Sequence, residues 1–180
     1  MHRVTIGALV ATVVTLAGCG GGGGDSSGGN LTGNFNCTAP SNGTFSATVG
    51  GQAWSACQVV AVRRDSTISG KDTTRTLGIA GTGAVSGSLT YAIVITLTKT
   101  GPWSSGTFAT GLIQPLAAIT VGSSTSAGWA ASFGTGSGSV TITSITNHQV
   151  TGTFTGDAAP VTGSASTTLQ IRNGTFNLTY

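Results

Sequence analysis

The chain has 180 residues, 38% of them hydrophobic, and a formal net charge of +3 at neutral pH from seven Lys or Arg against four acids. That hydrophobic share excludes a chain too polar to fold, and the slight basicity does not argue for nucleic acid. With no glutamate and thirty glycines, solubility must come from Ser, Thr, Asn and Gly.

His2 and Arg3 give a basic start, Val4 to Leu16 is an apolar run diluted by Thr5, Gly7, Thr12 and Thr15, and Leu16-Ala17-Gly18-Cys19 closes it. A membrane-spanning helix needs about 20 apolar residues, so the run has the length of a signal-peptide hydrophobic region. Its small-small-Cys ending reads as a bacterial lipobox. On that reading residues 1–18 are removed, Cys19 carries diacylglycerol and an N-acyl chain, and the protein is held in the cell envelope; several acyl chains at about 0.8 kcal/mol per buried methylene make such an anchor stable. No aspartate follows Cys19, which by analogy with lipoprotein sorting points to the outer membrane in a host with two membranes.

Residues 19–34 are then the lipidated cysteine and a glycine-dominated tether with an r.m.s. reach of about 20 Å. The tether has no lysine, no preceding strand pattern and no following helix pattern, so it is not a phosphate-binding loop. Residues 35–180 are long enough for one domain. Lipidation of Cys19 accounts for the odd cysteine and leaves Cys37 and Cys57, for which a disulfide is the default in an oxidising compartment. Closing a loop of about 20 residues contributes roughly 3 kcal/mol on the chain-entropy model. The alternative, a metal or redox pair, lacks C-x-x-C spacing and a nearby third ligand, and no metal or cofactor is expected.

Period-two alternation runs through the domain. Phe45, Ala47 and Val49 alternate with Ser46 and Thr48, Gly50-Gly51 offers a two-residue turn, and Trp54 and Ala56 continue on the returning strand. Tyr91, Ile93, Ile95 and Leu97 share one face of a long strand; Leu112 to Val121, with Pro115 inside it, reads as two short strands. Val140 and Ile142 lead through an Asn147-His148 turn to Val150, Gly152 and Phe154. Leu169 and Ile171 precede Asn173-Gly174, the strongest short hairpin signal, and Phe176, Leu178 and Tyr180 follow. The expectation is an all-β domain of about ten strands, an antiparallel β-sandwich (jelly-roll-like) or a β-barrel.

The segment Phe45-Ser46-Ala47-Thr48-Val49-Gly50-Gly51-Gln52-Ala53-Trp54-Ser55-Ala56, the Gly101-Pro102 turn before Gly106-Thr107-Phe108, the strands Gly138–Thr143 and Val150–Phe154, and the terminal Ile171-Arg172-Asn173-Gly174-Thr175-Phe176 resemble small bacterial lipoproteins of unknown function. The resemblance covers most of residues 43–180 and its motifs are structural. It implies an envelope lipoprotein with one antiparallel β-domain and no reaction. Cys57 directly after Ala56 departs from the usual pattern, which makes the disulfide a feature of this chain.

Among chemistry-bearing residues, Trp54 is in phase with a buried face and reads as core. Trp103, following Gly101-Pro102 in a loop, and Trp129 are candidates for contact with a glycan or partner. Arg63, Arg64, Asp65, Lys71, Asp72 and Arg75 form a charged loop that suits anionic headgroups, polysaccharide or an envelope protein, or is simply a solvated hairpin tip. His148 with Asp157 and a serine would make a hydrolytic triad only if the fold brought them together, and no nucleophile elbow accompanies them. Asp65, Asp72 and Asp157 are too sparse for calcium or glycoside chemistry. Asn36-Cys37-Thr38 and Asn173-Gly174-Thr175 match the glycosylation triplet but read as turn chemistry. The leading expectation is a non-catalytic, lipid-anchored binding or structural protein; the alternatives are a barrel holding a small apolar ligand among Ile93, Ile95, Val140 and Phe154, a glycan-binding module and an envelope hydrolase.

Overall fold

A computed structural model describes residues 40–68, 72–86, 89–111, 116–132 and 134–180. Residues 1–39, with the lipobox, the tether, Cys19 and Cys37, lie outside them.

Alternation builds the first hairpin. β1 (Gly43–Val49) buries Phe45, Ala47 and Val49, and Val49 pairs with Gln52 at the start of β2 (Gln52–Ser55). Between them Gly50 and Gly51 have φ of 58° and 83°, the two positive values of a type I′ turn, whose twist matches that of the flanking strands. The chain continues through Ala56 and Cys57 into β3 (Gln58–Ile68), which pairs with β4 (Asp72–Ser86), and β4 pairs with β5 (Leu89–Thr100). β6 (Gly106–Ala109), β7 (Leu116–Ser123), β8 (Gly128–Ala131), β9 (Ser137–Ile145), β10 (Gln149–Thr162) and β11 (Leu169–Thr179) complete an all-β fold. The order across the sheet is β2-β1-β11-β10-β9-β6-β7-β5-β4-β3, with β8 bridging β10 and β7. Every described pairing is antiparallel except a single parallel bridge from Ala109 to Leu116.

The two ends of that order belong to one stretch of chain, and this closes the sheet into a barrel. Ala56 N donates to Phe45 O on β1 at 2.9 Å, and the next residue, Cys57, donates its N–H to Thr82 O on β4 at 2.8 Å. Close approach is possible because glycine lines β4: a Cβ at Gly83 would sit 1.9 Å from Ser55 O, and one at Gly81 would sit 2.6 Å from Phe45 Cδ1. Trp54 Nε1 donates to Gly83 O (3.1 Å) and Tyr91 O (3.2 Å), tying β2 to β4 and β5.

Every strand sends side chains into one apolar cluster, with Trp54, Phe45, Leu77, Ile79, Ile93, Ile95, Leu97, Ile119, Ile142, Ile171 and Leu178 almost fully enclosed. Phe45 lies near its centre, edge-on to Trp54 (centroids 5.1 Å apart) and tilted against Phe154 (5.3 Å). No polar or charged residue is buried among the described residues. Outward faces carry hydroxyl pairs across neighbouring strands, including Ser46 with Thr175 (3.1 Å), Thr107 with Thr141 (2.9 Å) and Thr143 with Thr151 (3.0 Å). Such pairs add modest stability while keeping the outside wet.

Two sequence expectations need correction. Asn173-Gly174 does not reverse the chain: β11 runs straight through it, flanked by β1 and β10. Register slips on both sides, between Ser46 and Thr48 on β1 and between Phe154 and Gly156 on β10, so Asn173 is the extra residue of a bulge and takes a φ of 51°. Leu169 and Ile171 lie five residues from Gly174 and Phe176; strict alternation would put the two pairs on opposite faces, and the inserted residue brings both inward. The charged stretch is the end of the β3–β4 hairpin, as its hairpin-tip reading expects, but its residues 63–65 lie in the strands rather than in a loop. Arg63, Arg64 and Asp65 pair with Leu77, Thr76 and Arg75 inside the β3–β4 ladder. The expectation for Leu112–Val121 is open in its first part, since residues 112–115 lie outside the described ones; residues 116–121 belong to β7.

Candidate functional site

Side chains with chemistry gather at one end of the barrel. Antiparallel pairing aligns Arg63, Leu77 and Leu97 in one row across β3, β4 and β5, and the next row on the same face is Asp65, Arg75 and Lys99. Leu77 and Leu97 are fully buried, so this is where the apolar interior ends and a charged rim begins. Asp65 sits between two guanidinium groups: Arg75 Nη1 donates to its Oδ2, and Arg63 Nη2 forms an ion pair with the same oxygen at 3.6 Å. Among the described side chains, one carboxylate against two arginines leaves excess positive charge. Lys99 adds to it, its Nζ 3.5 Å from Ser104 Oγ and forming no ion pair among the described residues. Arg64 stands on the outer face in line with the half-exposed Val60 and Val62.

Trp103 belongs to the same end. It follows β5 by three residues, packs against the core and lies 6.0 Å from the ring of Phe108. Its Nε1 and the Nε of Arg75 are both enclosed and have no hydrogen-bond acceptor. An unsatisfied buried donor costs about 1–3 kcal/mol.

Trp129 is elsewhere. It pairs with Val121 on β7, lies edge-on to Tyr91 (6.2 Å) and donates Nε1 to Thr167 O at 2.9 Å. Tyr91 and Thr100 stand nine residues apart on β5, about 30 Å of extended chain, so Trp103 and Trp129 occupy opposite ends, and Trp54 is buried in the core. The three tryptophans do not form one stacking platform. His148, in the turn just before β10, and Asp157 on β10 are likewise nine residues apart, about 30 Å of extended chain, and Asp157 is engaged by Arg172. Cys57 sits at the barrel seam and is engaged in an interaction. Among the described residues no three His, Cys, Asp or Glu side chains converge as metal ligands.

A second feature was not anticipated from sequence. The bulge opens a shallow outer groove of about 460 Å³ lined by Ser139, Thr141, Thr153, Thr155, Asn173 and Thr175. Arg172 borders it, donating to Gly156 O (2.8 Å), Ile171 O (3.0 Å) and Asp157 Oδ1. The signal that could have found it is an Asn-Gly within a stretch that both neighbours flank, beside Ser and Thr at every second position.

Comparison of the chain with known protein families, curated proteins and solved structures finds no match.

Proposed function

We propose that this chain is a lipid-anchored lipoprotein of the cell envelope, held through Cys19 at the outer membrane where the host has one, with a non-catalytic β-domain that binds through its outer surfaces. The resemblance to small bacterial lipoproteins rests on its motifs and supports the same reading. The observation that carries the binding half is the filled barrel: Ile93, Ile95 and Val140 are 0% exposed and Phe154 3%, all within one packed cluster. A carrier of a small apolar ligand would use that space as a cavity, so recognition is better placed at the rim of Arg63, Arg75, Lys99 and Trp103. Its excess positive charge suits the anionic headgroups of the membrane that holds the anchor. A Cys37–Cys57 disulfide fits the same compartment.

A glycan-contact reading is favoured by the hydroxyl-lined groove beside Asn173 rather than by the tryptophans.

The test is incorporation of an alkyne-tagged palmitate in the native host. Labelled protein that disappears in Cys19→Ala supports the anchor; unlabelled wild-type protein released in soluble form overturns it.

A further inference from the structure

The outer face of the sheet carries hydroxyls in register. Ser46, Thr175, Thr153, Thr141 and Thr107 stand in one row across β1, β11, β10, β9 and β6, and Thr155 and Ser139 form the row beside it. Most of these groups already have partners within the protein: Ser46 pairs with Thr175, Thr107 pairs with Thr141, and Thr155 donates to Ile171 O at 2.9 Å. Thr153, Ser139 and Asn173 differ. Their side chains make no hydrogen bond among the described residues, and all three line the groove of about 460 Å³ at the β11 bulge. We propose that this groove is a subsite for an uncharged sugar ring, with Asn173, Thr153 and Ser139 as its contact residues; the proposal deepens the glycan-contact reading and rests on it.

The backbone supports a built site. Bulges gather where a strand must re-aim a side chain, most often at sheet edges and beside binding sites. β11 is not an edge, since β1 and β10 flank it, so this bulge ends no pairing. It sets the exposed Asn173 at the groove with a φ of 51°, in a strand paired on both sides, and a ligand arriving there has little backbone left to order.

Charge selects the ligand class. Among the residues lining the groove Arg172 alone is charged, and its guanidinium is engaged by Asp157 Oδ1, Gly156 O and Ile171 O. An anion therefore meets a neutralised cation. A sugar's vicinal hydroxyls each donate and accept, as the Ser and Thr hydroxyls do, and the Asn amide presents a donor and an acceptor side by side. Phe154, the aromatic residue of the lining, is 3% exposed, so no ring is available for stacking. Recognition rests on a few neutral hydrogen bonds, each contributing little after exchange with water, and affinity in the millimolar range follows.

The experiment is two-dimensional amide NMR of the chain from residue 19 to its end, secreted with Cys19→Ser, titrated to tens of millimolar with maltotriose, cellotriose, triacetylchitotriose and, as anions, trigalacturonate and sulfate. At least one neutral trisaccharide is expected to shift the amides of Ser139, Thr153, Asn173 and their neighbours in a saturable way. Asn173→Gly with Thr153→Val, which keeps the backbone angle and the side-chain shape, should weaken that binding by about tenfold or more, whereas Thr96→Val on the outer face of β5 should leave it unchanged. Should the double variant fail to fold, Ser139→Ala and Thr153→Val singly carry the comparison, each with a several-fold loss expected. Stronger shifts at the groove with trigalacturonate or sulfate overturn the uncharged ligand. A trisaccharide that shifts only amides elsewhere overturns the groove and leaves the glycan-contact reading standing, and no shift with any of the three sugars overturns both. None of these outcomes depends on lipid at Cys19, so the anchor is tested separately.

Discussion

Gly152 and Phe176 face each other across the β10–β11 ladder, and an ideal Cβ on Gly152 would lie 2.4 Å from Phe176 Cζ. The neighbouring pair repeats the arrangement in reverse. Phe154 stands opposite Gly174, where a Cβ would lie 2.5 Å from the Phe154 ring. Each glycine leaves the room that the opposite ring fills, which shields the glycine backbone and seats two large side chains in a narrow interior. Thr141 O also lies 2.2 Å from the Gly152 Cβ position, so the ring cannot simply swing aside to admit a methyl group. Gly152→Ala is therefore expected to destabilise the domain by about 1–3 kcal/mol. Phe176→Leu in the same chain should recover only part of that loss, because the carbonyl clash remains. Urea midpoints of the single and double variants measure both.

The bulge makes a sharper claim. Asn173 holds a φ of 51°, a region open to Asn and Gly, so Asn173→Gly should change stability by only a few tenths of a kcal/mol. Deleting Asn173 restores strict alternation and turns Leu169 and Ile171, 8% and 0% exposed, to the outside. The deletion variant is expected to lose its cooperative thermal transition. A deletion that melts within a few degrees of the parent would show that the bulge does not set the register.

At the barrel seam, Trp54 donates to two carbonyls from a fully enclosed position. Trp54→Phe keeps much of the packing and leaves Gly83 O and Tyr91 O without that donor, for an expected cost of about 1–3 kcal/mol. Trp54→Ala adds a cavity and should cost about 3–5 kcal/mol. Thermal denaturation of the two variants separates the hydrogen bonds from the packing.

Strand existence and the buried faces of β1, β5, β9 and β10 are legible in the sequence because side-chain period is a local property. The bulge is not. An Asn-Gly step with a parity break fits both a tight hairpin and a one-residue insertion, and only the presence of β1 and β10 on either side of β11 selects the second. The seam was half legible: the buried positions shift from Trp54 and Ala56 to Val59 and Ala61, yet the pattern does not say that the chain changes partners there. The charged rim was visible in part through Arg63, Arg64 and Arg75. Lys99 joins it only through its pairing with Arg75, and Trp103 only through the end at which β5 stops. Trp129, chosen for the same aromatic chemistry, lies at the other end for the same reason.

Arg172 and Asp157 give a test of how little an exposed ion pair contributes. Their side chains are 40% and 46% exposed, so solvent screens the attraction, and Asp157→Asn should shift stability by less than about 1 kcal/mol. Arg172→Met removes more, since the guanidinium also donates to Gly156 O and Ile171 O beside the bulge. The expected order of urea midpoints is parent, then Asp157→Asn, then Arg172→Met. The reverse order of the two variants would place the stabilisation in the charge pair.

The rim has its own signature in solution. Lys99 in the rim and Arg64 on the adjoining outer face form no ion pair among the described residues, so both are available to an anionic surface. Domain freed of lipid should sediment with vesicles containing phosphatidylglycerol and remain in solution with phosphatidylcholine alone. Each basic residue near an anionic surface contributes about 1 kcal/mol, so Arg64→Gln with Lys99→Gln should weaken association by roughly tenfold or more. Raising salt from 0.1 to 1 M shortens the Debye length from about 10 to 3 Å and should abolish it. Thermal melting of the double variant at the parent temperature would confirm that charge, rather than folding, was removed. Equal sedimentation with both lipids would move recognition away from the rim and toward the hydroxyl-lined groove at Asn173.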